Sequence, residues 1–562
     1  MQQKRLLSRT IAYPIFAITG FLFVFSLITG RELAKDGNIL WSAGHTAFIF
    51  GVSLAAGGVA GILICLLFYR IEEYFGFLEQ NGAPCGDQRK AWKIFGGSFL
   101  LNFIAWFPGF LAYYPAICAY DMPIQVGQVV SGGYIDHHPI AHTLLLKMFM
   151  ELGEHVSGDV NTGIGCYALF QMILLAAAFA FGMFCLYRHG AKLLFLLFVQ
   201  LFCMFYPFHI YMSVSVTKDV VFSAFFLVVL FTLPEIMAGH KQYVPLFVFA
   251  GTGMLLFRNN GKYAYLVLLV FLLAAVGLGK KKRRFLGKVF LLAFGVFLLG
   301  NLALSGIFRV THAEQGDKRE MLCMPIQQLA RTMVYHGGVG VIPEDDGAMS
   351  DKDRALINDF ILDEGYKSYR PDFTDPVKRH TNTYVARYRA KEFLSTYIRL
   401  FLQFPGDYLN AALAVNAGYL YPGDVTHAVI NAQEGQAAGG GYVQTRWDEA
   451  TLNGMGIYKD SKWPALRERM EKWAGDNAYL NLPVLKYLFV PGIWIWLYLL
   501  LTGWLLIRRK FMECIPLTLV FGYFLTLLLG PTVQLRYLYP VIAAFPFLLF
   551  LSGIFSEKRM SL

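Results

Sequence analysis

The sequence predicts an all-α polytopic membrane protein with about twelve transmembrane helices and a mainly helical external domain between the ninth and tenth spans. The composition, the spacing of long apolar stretches and the distribution of positive charge support this fold class. Of 562 residues, 56% are hydrophobic and 15% are charged, and the mean hydropathy is +0.47. A soluble domain carries about 25% charged residues. The composition therefore excludes an ordinary soluble enzyme and a disordered chain.

Apolar stretches of roughly 17–25 residues are long enough to cross the hydrocarbon core as helices. They divide the chain into an N-terminal membrane domain (1–307), an external soluble domain (308–484) and a C-terminal membrane segment (485–562). The predicted spans are 11–30, 44–69, 94–116, 159–187, 193–213, 220–238, 243–257, 263–279, 287–307, 485–507, 511–530 and 537–554.

Positive charge predicts how these spans are oriented. The predicted cytoplasmic segments carry about three times as many Lys and Arg residues as the short external segments, as the positive-inside rule requires. Both termini are therefore expected in the cytoplasm, with the candidate active site on the outer face of the plasma membrane. The formal net charge of +11 is explained by basic cytoplasmic loops, so we expect a lipid bilayer and no nucleic acid as partner.

The segment 308–484 contains several local signals. Ser350 followed by Asp353 is typical of a helix start. Apolar residues at i, i+3 and i+4 predict a second helix over 384–404, whose aromatic residues and flanking Lys391 and Arg399 indicate a position on the membrane interface. The Gly- and Ala-rich stretch 432–442 is typical of a linker or of a mobile lid over a substrate.

The candidate site begins with a polar cluster that follows the third predicted span. Ionisable groups cost free energy at membrane depth, so their presence near span ends indicates function. One carboxylate and three imidazoles suit proton abstraction from a hydroxyl, or divalent metal binding. A helix cap at Asp121 and interfacial positions for the histidines are the alternatives. The cluster contains Tyr120, Asp121, Gln125, His137, His138 and His142.

Four further clusters lie on the same predicted face. Their cations suit a phosphate group, with an ordinary loop, snorkelling or interface anchoring as alternatives. Two amides and an arginine on one short helix suit sugar hydroxyls, or make a helix surface polar. The residues are Lys218 with Asp219, Arg258, the set Gln327, Gln328 and Arg331, and Arg536 with Tyr537. Cys118 and Cys323 both fall in predicted external segments, and the sequence does not decide whether they pair.

The arrangement resembles the C-type integral-membrane glycosyltransferases (the GT-C superfamily), which use sugars linked to polyprenyl phosphate. In that superfamily an acidic residue of an early external loop is the catalytic base, and Asp121 holds that position here. Arg536-Tyr537 is similar to an arginine–tyrosine pair near the last span of several members. Short strings over about 100–540 look like those of bacterial multi-pass proteins of uncharacterised function, placed near the dolichyl-phosphate-mannose-type mannosyltransferases. The strings are YDMPIQ, HHPIAHT, SVTKDVVF, FRNNGKYA, MPIQQLAR, GYLYPG and RYLYP.

The sequence departs from the superfamily in two ways. Two predicted spans precede the span that corresponds to the first span of the superfamily, so the Asp121 loop is the second external loop and not the first. In addition, Asp121 is followed by Met122 where other members carry a second acidic residue. The resemblance therefore leaves open whether a divalent metal, Mg²⁺ or Mn²⁺, is needed as a cofactor.

The residues and the resemblance together predict an inverting sugar transfer from a polyprenyl-phosphate donor to a cell-wall polymer, a glycolipid or a protein. Asp121 is expected to act as base, with His137 and His138 positioning it or the donor. Donor-phosphate binding is expected from Lys218, Arg258, Arg536 and Tyr537, and substrate binding from Tyr120, Gln125, His142, Asp219, Gln327, Gln328 and Arg331. A secondary transporter or a non-catalytic envelope-assembly protein is the alternative, although a transporter tends to show repeated halves that this chain lacks.

Overall fold

The computed structural model describes residues 2–75, 87–118, 121–279, 282–342, 346–423, 449–475 and 478–551. Over these ranges the regular structure is helical, and only four isolated β-bridges interrupt it. The twelve helices that precede the polar region are α1 (Gln2–Asp36), α2 (Ala43–Phe75), α3 (Gln88–Tyr113), α4 (Met122–Ser131), α5 (Ile140–Ser157), α6 (Val160–Arg188), α7 (Leu193–Phe205), α8 (Pro207–Val214), α9 (Lys218–Met237), α10 (Val244–Phe257), α11 (Asn259–Leu278) and α12 (Arg283–Thr311).

Shorter helices follow, and three apolar helices end the described chain. The short helices are α13 (Cys323–His336), α14 (Asp351–Phe360), α15 (Asp375–Lys378), α16 (Thr383–Tyr388), α17 (Ala390–Gln403), α18 (Pro405–Val415), α19 (Ala417–Leu420), α20 (Glu449–Gly454) and α21 (Pro464–Gly475). The apolar helices are α22 (Pro491–Ile507), α23 (Ile515–Leu527) and α24 (Tyr539–Leu551).

Among the described residues, seven helices are long and apolar enough to cross a membrane, and the α7–α8 pair raises the number to eight. A multi-pass membrane architecture is therefore confirmed. Each of the twelve predicted spans coincides with an apolar helix, but α10, α22, α23 and α24 have between 13 and 17 residues. The twelve-span topology and the cytoplasmic termini stay predictions.

One predicted span differs in form from the structure, and one further helix lies outside the predicted spans. The expected span 193–213 is broken between α7 and α8, which meet at a bend of 51°. Pro207 explains the break, because proline has no N–H for the helical ladder and its ring clashes with the preceding turn. The 18-residue helix α5 coincides with none of the twelve predicted spans.

The segment from 318 to 415, here called the polar domain, has its own apolar core. Ile326, Phe360 and Leu400 are buried at its centre. The helix start at Ser350 is confirmed, since its hydroxyl accepts a hydrogen bond from the Asp353 N–H at 3.2 Å. The helix expected over 384–404 is split at Arg389 into α16 and α17.

The split at Arg389 has a physical cause. Its guanidinium donates to Glu392 at 3.0 Å and also binds Asp359 of α14. These contacts hold a non-helical backbone at the junction of the two helices, with φ −111° and ψ 33° at Arg389.

The polar domain contacts the membrane helices or their connecting loops in two regions. Arg331 reaches the Gly37 carbonyl at 3.3 Å and the Asn38 side chain at 2.6 Å, in the loop between α1 and α2. In the second region, the Thr374 N–H donates to the Pro531 carbonyl at 2.9 Å, in the segment between α23 and α24. Arg536 belongs to the same segment, so this contact places the polar domain beside the part of the chain that carries Arg536.

Candidate functional site

A buried carboxylate in contact with two cations lies where three polar sequence clusters meet. The Lys218 ammonium donates to Oδ2 of Asp121 at 2.9 Å, and Nη1 of Arg536 lies 3.5 Å from the same oxygen. Asp121 is 8% exposed and Arg536 is 4% exposed. The structure thus brings together three residues that the sequence predicted as one site.

Backbone pairing places Asp121 beside Lys218. The Ile117 N–H donates to the Val214 carbonyl at 2.9 Å, and the Val216 N–H donates to the Ile117 carbonyl at 2.9 Å. Thr217 then caps α9 through the Asp219 N–H, at 3.3 Å, so that Lys218 starts the helix.

Asp121 occupies the N-cap position of α4 without acting as its cap. Its carboxylate accepts no hydrogen bond from a backbone N–H in the first turn of that helix. The helix-cap alternative is therefore wrong for this side chain, whose described contacts are with cations. Pro123, near the start of α4, has no N–H that would need a cap.

His138 completes the group around Lys218. The ammonium donates to Nδ1 of His138 at 3.0 Å, so the ring proton must sit on Nε2. Burial, together with the neighbouring Lys218 charge, lowers the pKa of His138 to about 2, which keeps the ring neutral. Nε2 is buried and has no hydrogen-bond partner among the described residues. A buried N–H donor without a partner is costly, and it is satisfied when a ligand supplies an acceptor.

The same cations determine the protonation state of Asp121. Burial raises the pKa of this carboxyl, but Lys218 and Arg536 outweigh burial and hold the pKa well below its usual value. The carboxylate is therefore ionised at neutral pH. It is a weak base for as long as both cations face it.

A second buried ion pair joins Asp219 to Arg258. The Arg258 guanidinium packs over the Tyr537 ring, 5.2 Å from its centroid, and over the Tyr523 ring at 5.6 Å. The Arg536 guanidinium lies 4.7 Å from the centroid of the Tyr537 ring. Tyr537 therefore contacts both arginines and links the two ion pairs through cation–π contacts.

Sequence reasoning missed Tyr523, which contributes to this link. Its hydroxyl donates to the Tyr537 backbone carbonyl at 2.7 Å, and its ring packs against Arg258. In the sequence it appears as one more aromatic residue within an apolar run, so no local signal distinguishes it.

Gln125 and His142 form a buried network next to the ion pairs. The two side chains share a hydrogen bond of 2.9 Å, Gln125 donates to Thr143 at 3.0 Å, and His142 contacts the Tyr167 hydroxyl at 2.6 Å. These bonds use the described polar atoms of both side chains to hold α4 against α5 and α6. A direct substrate contact by either residue stays a prediction.

The amides predicted to bind sugar hydroxyls are engaged inside the polar domain. Gln327 donates to the Pro371 carbonyl at 3.2 Å, Gln328 donates to the Tyr408 carbonyl at 3.2 Å, and Arg331 pairs with Asp407 at 2.9 Å. These contacts hold α13 in place, and a role in acceptor binding stays a prediction.

The remaining predicted features have different outcomes. His137 is exposed, with its ring centroid 4.7 Å from that of His138. Tyr120 and the whole candidate lid 432–442 lie outside the described residues. Cys118 and Cys323 are both free and buried.

The residues around Asp121 do not suit a divalent cation. Metal sites for Mg²⁺ or Mn²⁺ gather several oxygen ligands, whereas this carboxylate faces an ammonium and a guanidinium. In the described part of the chain, no group of three His, Cys, Asp or Glu side chains is arranged to hold a metal ion.

Comparison with known proteins gives one family. Residues 130–561 match a family described as a family of unknown function, DUF6020. The matched region contains His138, Lys218, Arg258 and Arg536. The curated proteins and the solved structures give no match to the chain.

Proposed function

We propose that this chain, which belongs to the DUF6020 family of unknown function, transfers a sugar from a polyprenyl-phosphate donor to a hydroxyl on the outer face of the plasma membrane. The main support is the group around Asp121, in which one buried carboxylate contacts two cations beside an unpartnered N–H donor. Buried charges are stable only when they are paired. Here two cations face one carboxylate, so the site favours an anionic ligand that binds next to the base.

Phosphate recognition is the part of the reaction that the cations favour. Arginine binds phosphate oxygens through two N–H groups, and lysine acts as a point charge. Arg536 and Lys218 supply these donors around one carboxylate, and His138, whose Nδ1 contacts Lys218, offers a further donor in its Nε2–H. Arg258 and Tyr537 hold Arg536 in place through the aromatic contact described above.

Asp121 is the proposed base. A donor phosphate competes with the carboxylate for Lys218 and Arg536, and the weakened ion pair makes Asp121 more basic. The acceptor O–H proton moves to Asp121 while the acceptor oxygen bonds to the anomeric carbon. The carbon–oxygen bond to phosphate breaks with its electron pair on the phosphate oxygen, and polyprenyl phosphate leaves. Attack opposite the leaving group inverts the anomeric carbon, and no step requires a metal.

The acceptor side is assigned to the polar domain. The Thr532 hydroxyl donates to the Asp372 carbonyl at 3.1 Å, which ties this domain to the segment that leads to Arg536. Gln327, Gln328 and Arg331 maintain the shape of the domain through the contacts described above. A cell-wall polymer, a glycolipid or a protein would approach from this side.

Release of polyprenyl phosphate tests the proposal. Purified protein in liposomes is given radiolabelled polyprenyl-phosphate sugars and a mixed envelope extract as acceptor. We expect Asp121→Asn to abolish release while the protein elutes as the wild type does. Asp317→Asn is the matched control, because Asp317 is an exposed N-cap that Asn replaces well.

Two results would contradict the proposal. Near-normal release by Asp121→Asn would remove this residue as the base. If the folded wild type releases polyprenyl phosphate from none of the donors, sugar transfer is rejected, and transport or envelope assembly is favoured.

A further inference from the structure

Helix α17 presents an apolar face that is open in the described structure. Leu394, Ile398 and Leu402 are between 47% and 72% exposed. They stand four residues apart on one helix and therefore share a face. The other side of α17 packs into the polar domain through Phe393 and Leu400. Packing in the core of the domain therefore accounts for the apolar residues on one side of the helix, but not for the apolar residues on the open side.

The C-terminal end of α17 lies at the base of two membrane helices. Gly406, just after α17, approaches Trp41 so closely that an added Cβ would lie 2.9 Å from Cδ1 of that ring. The Trp41 indole N–H donates to the Asn410 side chain at 2.9 Å. Trp41 belongs to the loop between α1 and α2, which are both long and apolar enough to span. Tryptophan prefers the membrane–water boundary, so this contact places the end of α17 near that boundary.

Exposed apolar residues continue on both sides of this contact. Leu409 of α18 is exposed, and so are Leu40, which precedes Trp41 in the chain, and Phe48 of α2. Lys391, one turn before Leu394, is exposed as well. An apolar stripe with a cation at its border is typical of a helix that lies in the headgroup region of a bilayer.

We infer that α17 lies flat on the membrane surface, with phospholipid as the occupant of its open face. A protein partner fits less well, because a stable interface buries about 1,200–2,000 Å². One row of side chains on a 14-residue helix does not supply that area. The contact fixes the polar domain against the bilayer, independently of any sugar transfer.

Photocrosslinking distinguishes the possible occupants. The full chain carries Leu394→p-benzoylphenylalanine or Leu402→p-benzoylphenylalanine and is reconstituted in vesicles of phosphatidylethanolamine and phosphatidylglycerol. Asn358→p-benzoylphenylalanine is the control, because Asn358 is exposed on α14 of the same domain. After irradiation, intact-protein mass spectrometry detects lipid adducts, and gel electrophoresis detects crosslinked chains.

We expect lipid adducts at both α17 positions and no lipid adduct at Asn358. Crosslinks to a second copy in place of lipid would overturn the inference and assign the face to self-association. Equal lipid labelling at all three positions, or no labelling at α17, would also overturn it. Because no donor or acceptor is present, the outcome is separate from that of the sugar-release assay.

Discussion

Substitution of Lys218 by methionine tests the centre of the candidate site. Lys218→Met keeps a long apolar stem and removes the ammonium that lies 2.9 Å from Asp121. The carboxylate then retains Arg536, 3.5 Å away, as its remaining described ion-pair partner. We expect loss of stability, and a rise in the pKa of Asp121 because one of its two neighbouring cations is gone.

The size of the effect follows from burial. The Lys218 and Asp121 side chains are 14% and 11% exposed, which makes this a buried pair. Removing one partner of a buried pair costs about 3–5 kcal/mol. Because Arg536 still compensates the carboxylate, we expect the lower end, about 3 kcal/mol. Asp121→Asn with Lys218→Met removes both charges, and we expect a coupling of about 2 kcal/mol in the double-mutant cycle.

The assay is unfolding in mixed micelles of mild detergent and dodecyl sulfate, followed by tryptophan fluorescence, for wild type, both single variants and the double variant. Lys147→Met is the matched control, because its pair with Glu151 is exposed and 3.7 Å long, and solvent screens such a pair. A Lys218→Met protein as stable as the control, or a cycle without coupling, would refute the buried pair.

Three further predictions concern the polar domain and helix packing. Burial lowers the pKa of His336, but Asp407 and Asp346 outweigh burial and raise it. The protonated His336 ring therefore stabilises the fold fully below about pH 6.5, and this contribution is lost as the pH rises through the raised pKa. The difference in melting temperature between wild type and His336→Asn should therefore shrink from pH 6 to pH 9. Gly163→Leu should destabilise by about 1–3 kcal/mol, since its Cβ would overlap a backbone carbonyl of α5. Arg331→Met should lower the melting temperature of the polar domain by breaking its pair with Asp407.

Each of these predictions has an outcome that contradicts it. If the difference in melting temperature between wild type and His336→Asn is the same at pH 6 and pH 9, the charge of His336 does not contribute to its contacts. An unchanged unfolding free energy for Gly163→Leu would show that α5 and α6 are not in close contact there. If Arg331→Met keeps its melting temperature and loses sugar release, the arginine acts on the acceptor and not on the fold.

Local pattern in the sequence predicted much of the architecture. Hydropathy located the described helices that are long and apolar enough to cross a membrane, because such a helix must be apolar along its own length. The cap at Ser350 was also predictable, since a capping side chain bonds to an N–H only three residues away. Proline at 207 broke a span for a local reason that the hydropathy of the segment concealed.

The sequence by itself determined that Asp121, Lys218 and Arg536 belong to polar clusters at the ends of apolar segments. Only the tertiary structure decided that they pair with one another, that Asp219 takes Arg258, and that Gln125 and His142 satisfy each other. Hydropathy and helix periodicity act over a few residues, whereas the Lys218–Asp121 bond joins residues 97 positions apart. Such a bond forms only after the helices have packed, and desolvation at the packed site then determines which charges are held as pairs.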